Sequence, residues 1–246
     1  MESTRLHLTK NIRTTILLKT CLSLRYNIIF LLLFLIFYVP LSAYLDLKVT
    51  HYFYNKGLFQ TNTFLESIYH YGIIPGWILA GLATLGFILS FFYQEFAKRR
   101  RDFLLIILTL ALGSGLIGHA LLKDHWGRPR PKQTIEFGGA QAFRPFYSPN
   151  LSEQPEPSKS FICGHCTMGF YFFSVFFLGL YHQKKALTYF GLIFALFLGG
   201  LLSYARVAQG GHFLSDIVMA ALIMWWTALF LTYYLLIKKI LNYPKS

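Results

Sequence analysis

"SFICGHCTMGF", residues 160–170, decides between two folds. Cys163-Gly164-His165-Cys166 has the C-x-x-C spacing of thiol–disulfide oxidoreductases, where one thiol of lowered pKa attacks and a second resolves the mixed disulfide. That chemistry belongs to a βαβ framework of short strands and amphipathic helices. In the other reading the histidine works, the cysteines are incidental, and the fold is whatever the flanking sequence builds.

The flanks contain no such alternation, only long apolar runs. Of the 246 residues, 55% are hydrophobic and only 13% charged, where a soluble domain carries about 25% charged residues. This is the balance of a membrane protein. The net charge of +13 would suit a nucleic-acid binder, but the charges cluster between apolar runs, as membrane topology places them. Nucleic acid is therefore excluded as a partner. Three cysteines are too few for a disulfide framework.

A helix needs about 20 apolar residues to cross the hydrocarbon core. Six candidate spans follow, over 26–45, 73–93, 103–122, 166–182, 186–204 and 217–237. The fold class is all-α, a polytopic bundle of six transmembrane helices. The fourth span is short and starts with small polar residues; the second and third hold glycines and alanines that let helices approach closely. Domain organisation reads as a basic N-terminal segment, 1–25, and one six-span domain, 26–246. Arg5, Lys10, Arg13, Lys19 and Arg25 precede an apolar run too long for a signal peptide and without an A-x-A site, so the first span reads as an uncleaved anchor. Residues 3–22 read either as a basic amphipathic helix on the membrane surface or as a basic tail.

Six spans put the N-terminus, the 94–102 turn, the 183–185 turn and the C-terminus on one side, with 14 of the 23 Lys and Arg residues. The positive-inside rule makes that side cytoplasmic. The 123–165 and 205–216 loops then face outward.

Three polar clusters lie on the outward side: "KDHWGRPRP" at 123–131, "SFICGHC" entering the fourth span, and "YARVAQGGHFLSD" at 204–216. Singly, each residue has an ordinary explanation. Lys123 snorkels, Arg128 and Arg130 are loop charges, His165 is an interfacial histidine, and Arg206 caps a span. His212 and Asp216, four apart, share a helix face. Together, three cations, two histidines and a carboxylate at one membrane surface meet the needs of phosphoryl transfer. Cations neutralise phosphate oxygens, a nucleophile attacks in line, and an acid protonates the leaving oxygen. The helix N-terminus after Gly164 adds N–H groups aimed at an anion. No Asp/His cluster has metal-ligand spacing, so a mechanism without metal or other cofactor is expected.

These motifs resemble a known family. Lys123, six residues, then Arg130-Pro131; Gly164-His165; and Arg206, five residues, His212, three residues, Asp216 are similar to the three-part signature of the type 2 phosphatidic acid phosphatase (PAP2) superfamily, related to vanadium haloperoxidases. The resemblance implies a PAP2/vanadium haloperoxidase-like core from the second span onward. It also implies roles. His212 forms a phosphohistidine, Asp216 orients its imidazole, and His165 protonates the departing oxygen. Lys123, Arg130 and Arg206 hold the phosphate, assisted by the Gly164 N–H. Where the family has Pro-Ser-Gly-His, this chain has Ile162-Cys163-Gly164-His165. Cys163 thus stands where a serine hydroxyl contacts phosphate, and a thiol is a weaker donor. A Cys163–Cys166 bridge, the alternative outside the cytoplasm, would remove even that contact.

Within the superfamily, "GRPRPKQTIEFGG" and "YARVAQGGHFLSD" look most like bacterial lipid A phosphatases, especially those acting on the 4′-phosphate. This implies an inner-membrane phosphoric monoester hydrolase with a periplasmic site and a phospholipid or lipid A as partner. Undecaprenyl diphosphate and phosphatidylglycerophosphate are the alternative substrates. A transporter or non-catalytic lipid-binding protein would instead carry mid-span charges and broken helices, and a redox protein would keep dithiol exchange without His212.

Overall fold

The structure is a computed structural model that describes residues 24–151 and 157–238. The proposed basic segment lies outside the described residues up to position 23. Six helices are long and apolar enough to cross a membrane: Ile28–Phe53, Thr63–Leu89, Arg100–Lys123, Gly164–Tyr181, Lys185–Ala208 and Leu214–Ile237. The protein is a multi-pass, all-α membrane protein. The only β structure among the described residues with more than an isolated bridge is a small hairpin after the first span, Tyr54–Asn55 with Leu58–Phe59.

Two spans differ in extent from the apolar count. The first runs on to Phe53, past Asp46 and Lys48, which interrupt the hydrophobic run. It continues because Ser42, Asp46 and Thr50, spaced four apart, form a fully buried polar stripe along one face. The second begins at Thr63, not near 73, because Asn62 caps it, its side chain accepting from the Leu65 N–H at 2.9 Å.

The fourth span is short for a physical reason. It stands at the centre of the bundle and touches the second, third, fifth and sixth spans, with 78% of its apolar window buried against 6% for the first. A helix surrounded by helices needs no lipid-facing surface. Its contact with the fifth span is close to backbone on backbone: a Cβ at Gly169 would collide with the Gly199 amide, and one at Gly199 with the Phe170 ring.

From Thr109 to Lys123 the third span winds with the wider i→i+5 hydrogen bonding of a π-helix. Residues five apart therefore stack, which brings Gly113, Gly118 and Lys123 onto one line. Beyond it, the loop that follows folds back over the helix ends. Trp126 stacks on Phe161 at 4.8 Å between ring centroids, and its Nε1–H donates to the Phe146 carbonyl at 2.7 Å.

Candidate active site

Asp216 sits in the first turn of the sixth span, where a carboxylate is favoured by the free N–H groups of the helix end. Its Oδ2 accepts from the Phe213 N–H at 2.9 Å and from the Ser160 hydroxyl at 2.6 Å. Its Oδ1 is paired with Arg128. Arg128 is fully buried: NH2 pairs with Asp46 at 2.7 Å, NH1 also donates to Ser215 Oγ at 2.8 Å, and Nε donates to the Arg144 carbonyl at 2.9 Å. Asp46 in turn accepts from the Ser215 N–H and hydroxyl at 2.7 and 2.6 Å. The reading of Arg128 as an ordinary loop charge is thereby corrected. It ties the first span to the sixth.

His212 precedes this helix and is buried. Its Nδ1 lies 2.6 Å from the Ser160 carbonyl oxygen and 3.6 Å from Asp216 Oδ2. A carbonyl only accepts, so Nδ1 carries the proton and Nε2 keeps its lone pair. Burial pushes the imidazole down to about 4, although the Asp216 carboxylate pulls the other way. At neutral pH the ring is uncharged, with a free lone pair on Nε2.

His165 lies in the first turn of the fourth span. Its ring stacks on Tyr69 of the second span, with centroids 4.4 Å apart and planes 18° from parallel. The Arg206 guanidinium lies over the same Tyr69 ring at 4.8 Å, and NH1 donates to Gln209 at 2.9 Å. Tyr69 thus holds an imidazole and a cation at once.

Gly164 has a steric reason as well as an N–H. A Cβ there would come within 2.7 Å of His119 Nε2 and 3.5 Å of Lys123 Nζ. His119 donates from Nδ1 to the Ser114 carbonyl at 2.8 Å, leaving Nε2 as an acceptor beside the site. Asp124, next to Lys123, turns outward; its hydrogen bond to Lys159 at 2.7 Å holds its carboxyl below the usual range. Lys123 lies within electrostatic reach of Arg130 and Arg206. Two guanidinium N–H groups, Arg130 Nε and Arg206 Nε, are buried without an acceptor among the described residues.

Cys163 and Cys166 form a disulfide, with S–S 2.07 Å. Of the two states left open by the sequence, the structure has the bridged one, so Cys163 offers no thiol proton to an anion. Both cysteines are completely buried, out of reach of a second thiol, which removes the support for an exchange reaction.

The structure therefore gathers His212, His165, Asp216, Lys123, Arg130, Gly164 and Arg206 around one end of the helix bundle. It adds four residues outside the three-part signature: Asp46, Tyr69, His119 and, at the head of the SFICGHC stretch, Ser160. Asp46 had a signal, an ionisable residue inside an apolar run. Tyr69 and Ser160 had none.

Two imidazoles among unneutralised cations at a membrane surface define a membrane phosphatase. The PAP2 superfamily model matches residues 103–239, and the chain belongs to that superfamily as a phosphoric monoester hydrolase. It is 31% identical over 186 residues to a lipid A 4′-phosphatase of Francisella tularensis subsp. novicida, covering 74% of this chain and 82% of that one. It is 32% identical over 123 residues to a lipid A 4′-phosphatase of Rhizobium leguminosarum, half of each chain. A lipid A 4′-phosphatase of Rhizobium etli is 32% identical over 124 residues, 50% of this chain and 46% of that one. No solved structure matches.

Proposed function

We propose that the protein is a lipid phosphatase of the bacterial inner membrane that removes the 4′-phosphate of lipid A at the periplasmic face. The observation that carries the chemistry is the pair of buried, acceptor-free guanidinium N–H groups of Arg130 and Arg206 beside two histidines. They are donors for phosphate oxygens. The relatives' names point to lipid A, and the distribution of Lys and Arg supports cytoplasmic N- and C-termini.

Lys123, Arg130 and Arg206 hold the non-bridging oxygens, with the Gly164 N–H. His212 Nε2 attacks phosphorus as the P–O bond to the sugar breaks, and protonated His165 gives its proton to the departing oxygen. A water then attacks the phosphohistidine, passing a proton to His165 as phosphate leaves. Asp216, 3.6 Å from Nδ1, stabilises the positive charge on His212 while the intermediate lasts. Loss of one phosphate lowers the negative charge of the lipid surface and weakens its attraction for cationic peptides.

The test is phosphate release by purified protein from lipid A, undecaprenyl diphosphate and phosphatidylglycerophosphate. Lipid A should lose its 4′-phosphate fastest, and His212→Ala protein should release none. Faster release from either other lipid would overturn the substrate, and turnover by His212→Ala the mechanism.

A further inference from the structure

A cavity of about 460 Å³ is lined by Arg130, Lys132, Gln133, Pro157 and Lys159. Three of these side chains are cations, and no histidine or carboxylate of the described residues lines the space. It can hold part of a ligand but cannot perform the reaction assigned to His212. Of the three cations, only Lys159 has a carboxylate partner among the described residues: Asp124, at 2.7 Å, in a pair about half exposed to solvent.

Main-chain bonds set the walls. The Arg130 N–H donates to Gln133 Oε1 at 2.9 Å, and the Gln133 N–H donates back to the Arg130 carbonyl at 2.8 Å. The Lys132 N–H donates to the carbonyl of Gly210, in the loop that carries His212, at 3.2 Å. The Ser160 N–H donates to the Arg128 carbonyl at 3.0 Å, which anchors the neighbouring Lys159. The two lysines are thus tied to the segments that hold the reacting groups.

The cavity adjoins the reaction site. Arg130, one of the proposed phosphate donors, lines it, and Lys159 lies within electrostatic reach of Lys123. A guanidinium has five N–H donors, enough for two oxyanions at once. Lys159 keeps two N–H donors beyond the one given to Asp124. One phosphate held by Lys123, Arg130 and Arg206 therefore leaves Lys132 and Lys159 uncommitted, and cations crowded together repel until an anion joins them.

We propose that this cavity binds a second oxyanion, a phosphate or carboxylate on the same headgroup as the scissile phosphate, so that Lys132 and Lys159 select substrates with two acid groups. The proposal rests on the phosphatase reading above and narrows its substrate class. These lysines supply position and selectivity, while the bond is broken elsewhere.

The double variant Lys132→Gln, Lys159→Gln tests it. Both side chains are exposed, so their replacement leaves the core intact. The ratio of kcat/KM on lipid A with two phosphates to that on lipid A with the 4′-phosphate alone should fall roughly tenfold or more, the loss expected of charge-assisted hydrogen bonds. Lys56→Gln, at an exposed position in the hairpin after the first span, removes charge elsewhere and should keep the wild-type ratio. A wild-type ratio in the double variant overturns the proposal. An equal loss on both lipids, with weaker inhibition by inorganic phosphate, would make the cavity a site for free phosphate and overturns it as well. Binding is read without turnover from propane-1,3-diphosphonate and propylphosphonate, which differ in the second acid group and resist hydrolysis. In calorimetry, wild-type protein in detergent should bind the diphosphonate at least roughly tenfold more tightly, and the double variant should lose that preference. Equal affinities in wild type, or a preference that survives in the double variant, overturn the second site. Wild-type protein that releases no phosphate from any lipid would sink the phosphatase reading, while the diphosphonate still decides the cavity.

Discussion

His212 Nδ1 is 2.6 Å from the carbonyl oxygen of Ser160 and 3.6 Å from the Asp216 carboxylate, so a main-chain atom fixes the tautomer of the imidazole. Ser160 also donates its hydroxyl to Asp216 at 2.6 Å. The carboxylate supports the histidine through the chain that surrounds it, and through charge.

Asp216→Asn should accordingly keep a measurable fraction of the turnover that His212→Ala loses, and should lower the unfolding temperature in detergent. Arg128→Ala, which leaves Asp46 and Asp216 buried without their cation, should cost about 3–5 kcal/mol. An Asp216→Asn protein as stable as wild type but as dead as His212→Ala would mean that the carboxylate itself orients the ring.

The His212 imidazole, lowered to about 4 by burial, predicts a pH window. Between about 6.5 and 4 the unfolded chain binds a proton there and the folded protein does not. Stability therefore falls as pH drops through that window, by on the order of 3 kcal/mol, and is unaffected above it. Histidine NMR should show a resonance titrating near 4 that is missing in His212→Gln. A His212 resonance titrating near 6.5 would refute this.

Tyr69 carries His165 on one ring face and Arg206 within cation–π distance. Stacking and cation–π contacts are each worth about 0.5–1.5 kcal/mol. Tyr69→Ala should lower kcat/KM roughly tenfold to a hundredfold, and Tyr69→Phe should restore most of it. Equal losses in both variants would show that the hydroxyl matters, not the ring.

The bridged cysteines predict resistance to alkylation until the protein is unfolded and reduced, checked by mass spectrometry. Cys163 also caps the fourth span, the Cys166 N–H donating to its Sγ at 3.2 Å. Serine is a better cap. The double variant Cys163→Ser, Cys166→Ala should remain folded and active, whereas Cys163→Ala, Cys166→Ala should be less stable by about 1 kcal/mol. Free thiols in the native protein would contradict the bridge.

Topology is checked by reporter fusions. Those after residue 140 should behave as periplasmic and those after residue 99 as cytoplasmic. The reverse would move the whole site to the other face.

The motif residues were legible because their spacing is local: Lys123 to Arg130, and Arg206 to Asp216, each lie on one helix end and its loop. What holds them was not. Tyr69 and Asp46 come from spans far away in sequence, and a tyrosine near a span end looks like any interfacial aromatic. Arg128 read as solvated because a charge in a loop of unknown path defaults to water; only the tertiary fold buries it. The first span was cut short at 45 because Asp46 and Lys48 weigh against insertion, and its true end follows from Arg128, the cation waiting in the loop after the third span. For the cysteines, spacing alone allowed both redox states.

The Arg128 network also sets the order in which the protein becomes an enzyme. Asp46 enters the membrane with the first span, 82 residues before Arg128 is made and 169 before Ser215. Through that interval the carboxylate has neither of these partners, and an unpaired acid in a span is costly; the strongly apolar stretch before it must keep the helix in place. The cations of the third span and the loop after it arrive next, and His212 and Asp216 come last, with the sixth span. A chain halted after five spans holds phosphate donors but no His212, and its Arg128 has only one of its two carboxylates. On the mechanism proposed above, hydrolysis begins only when the final helix has crossed the bilayer, and the appearance of activity reports that the bundle is closed.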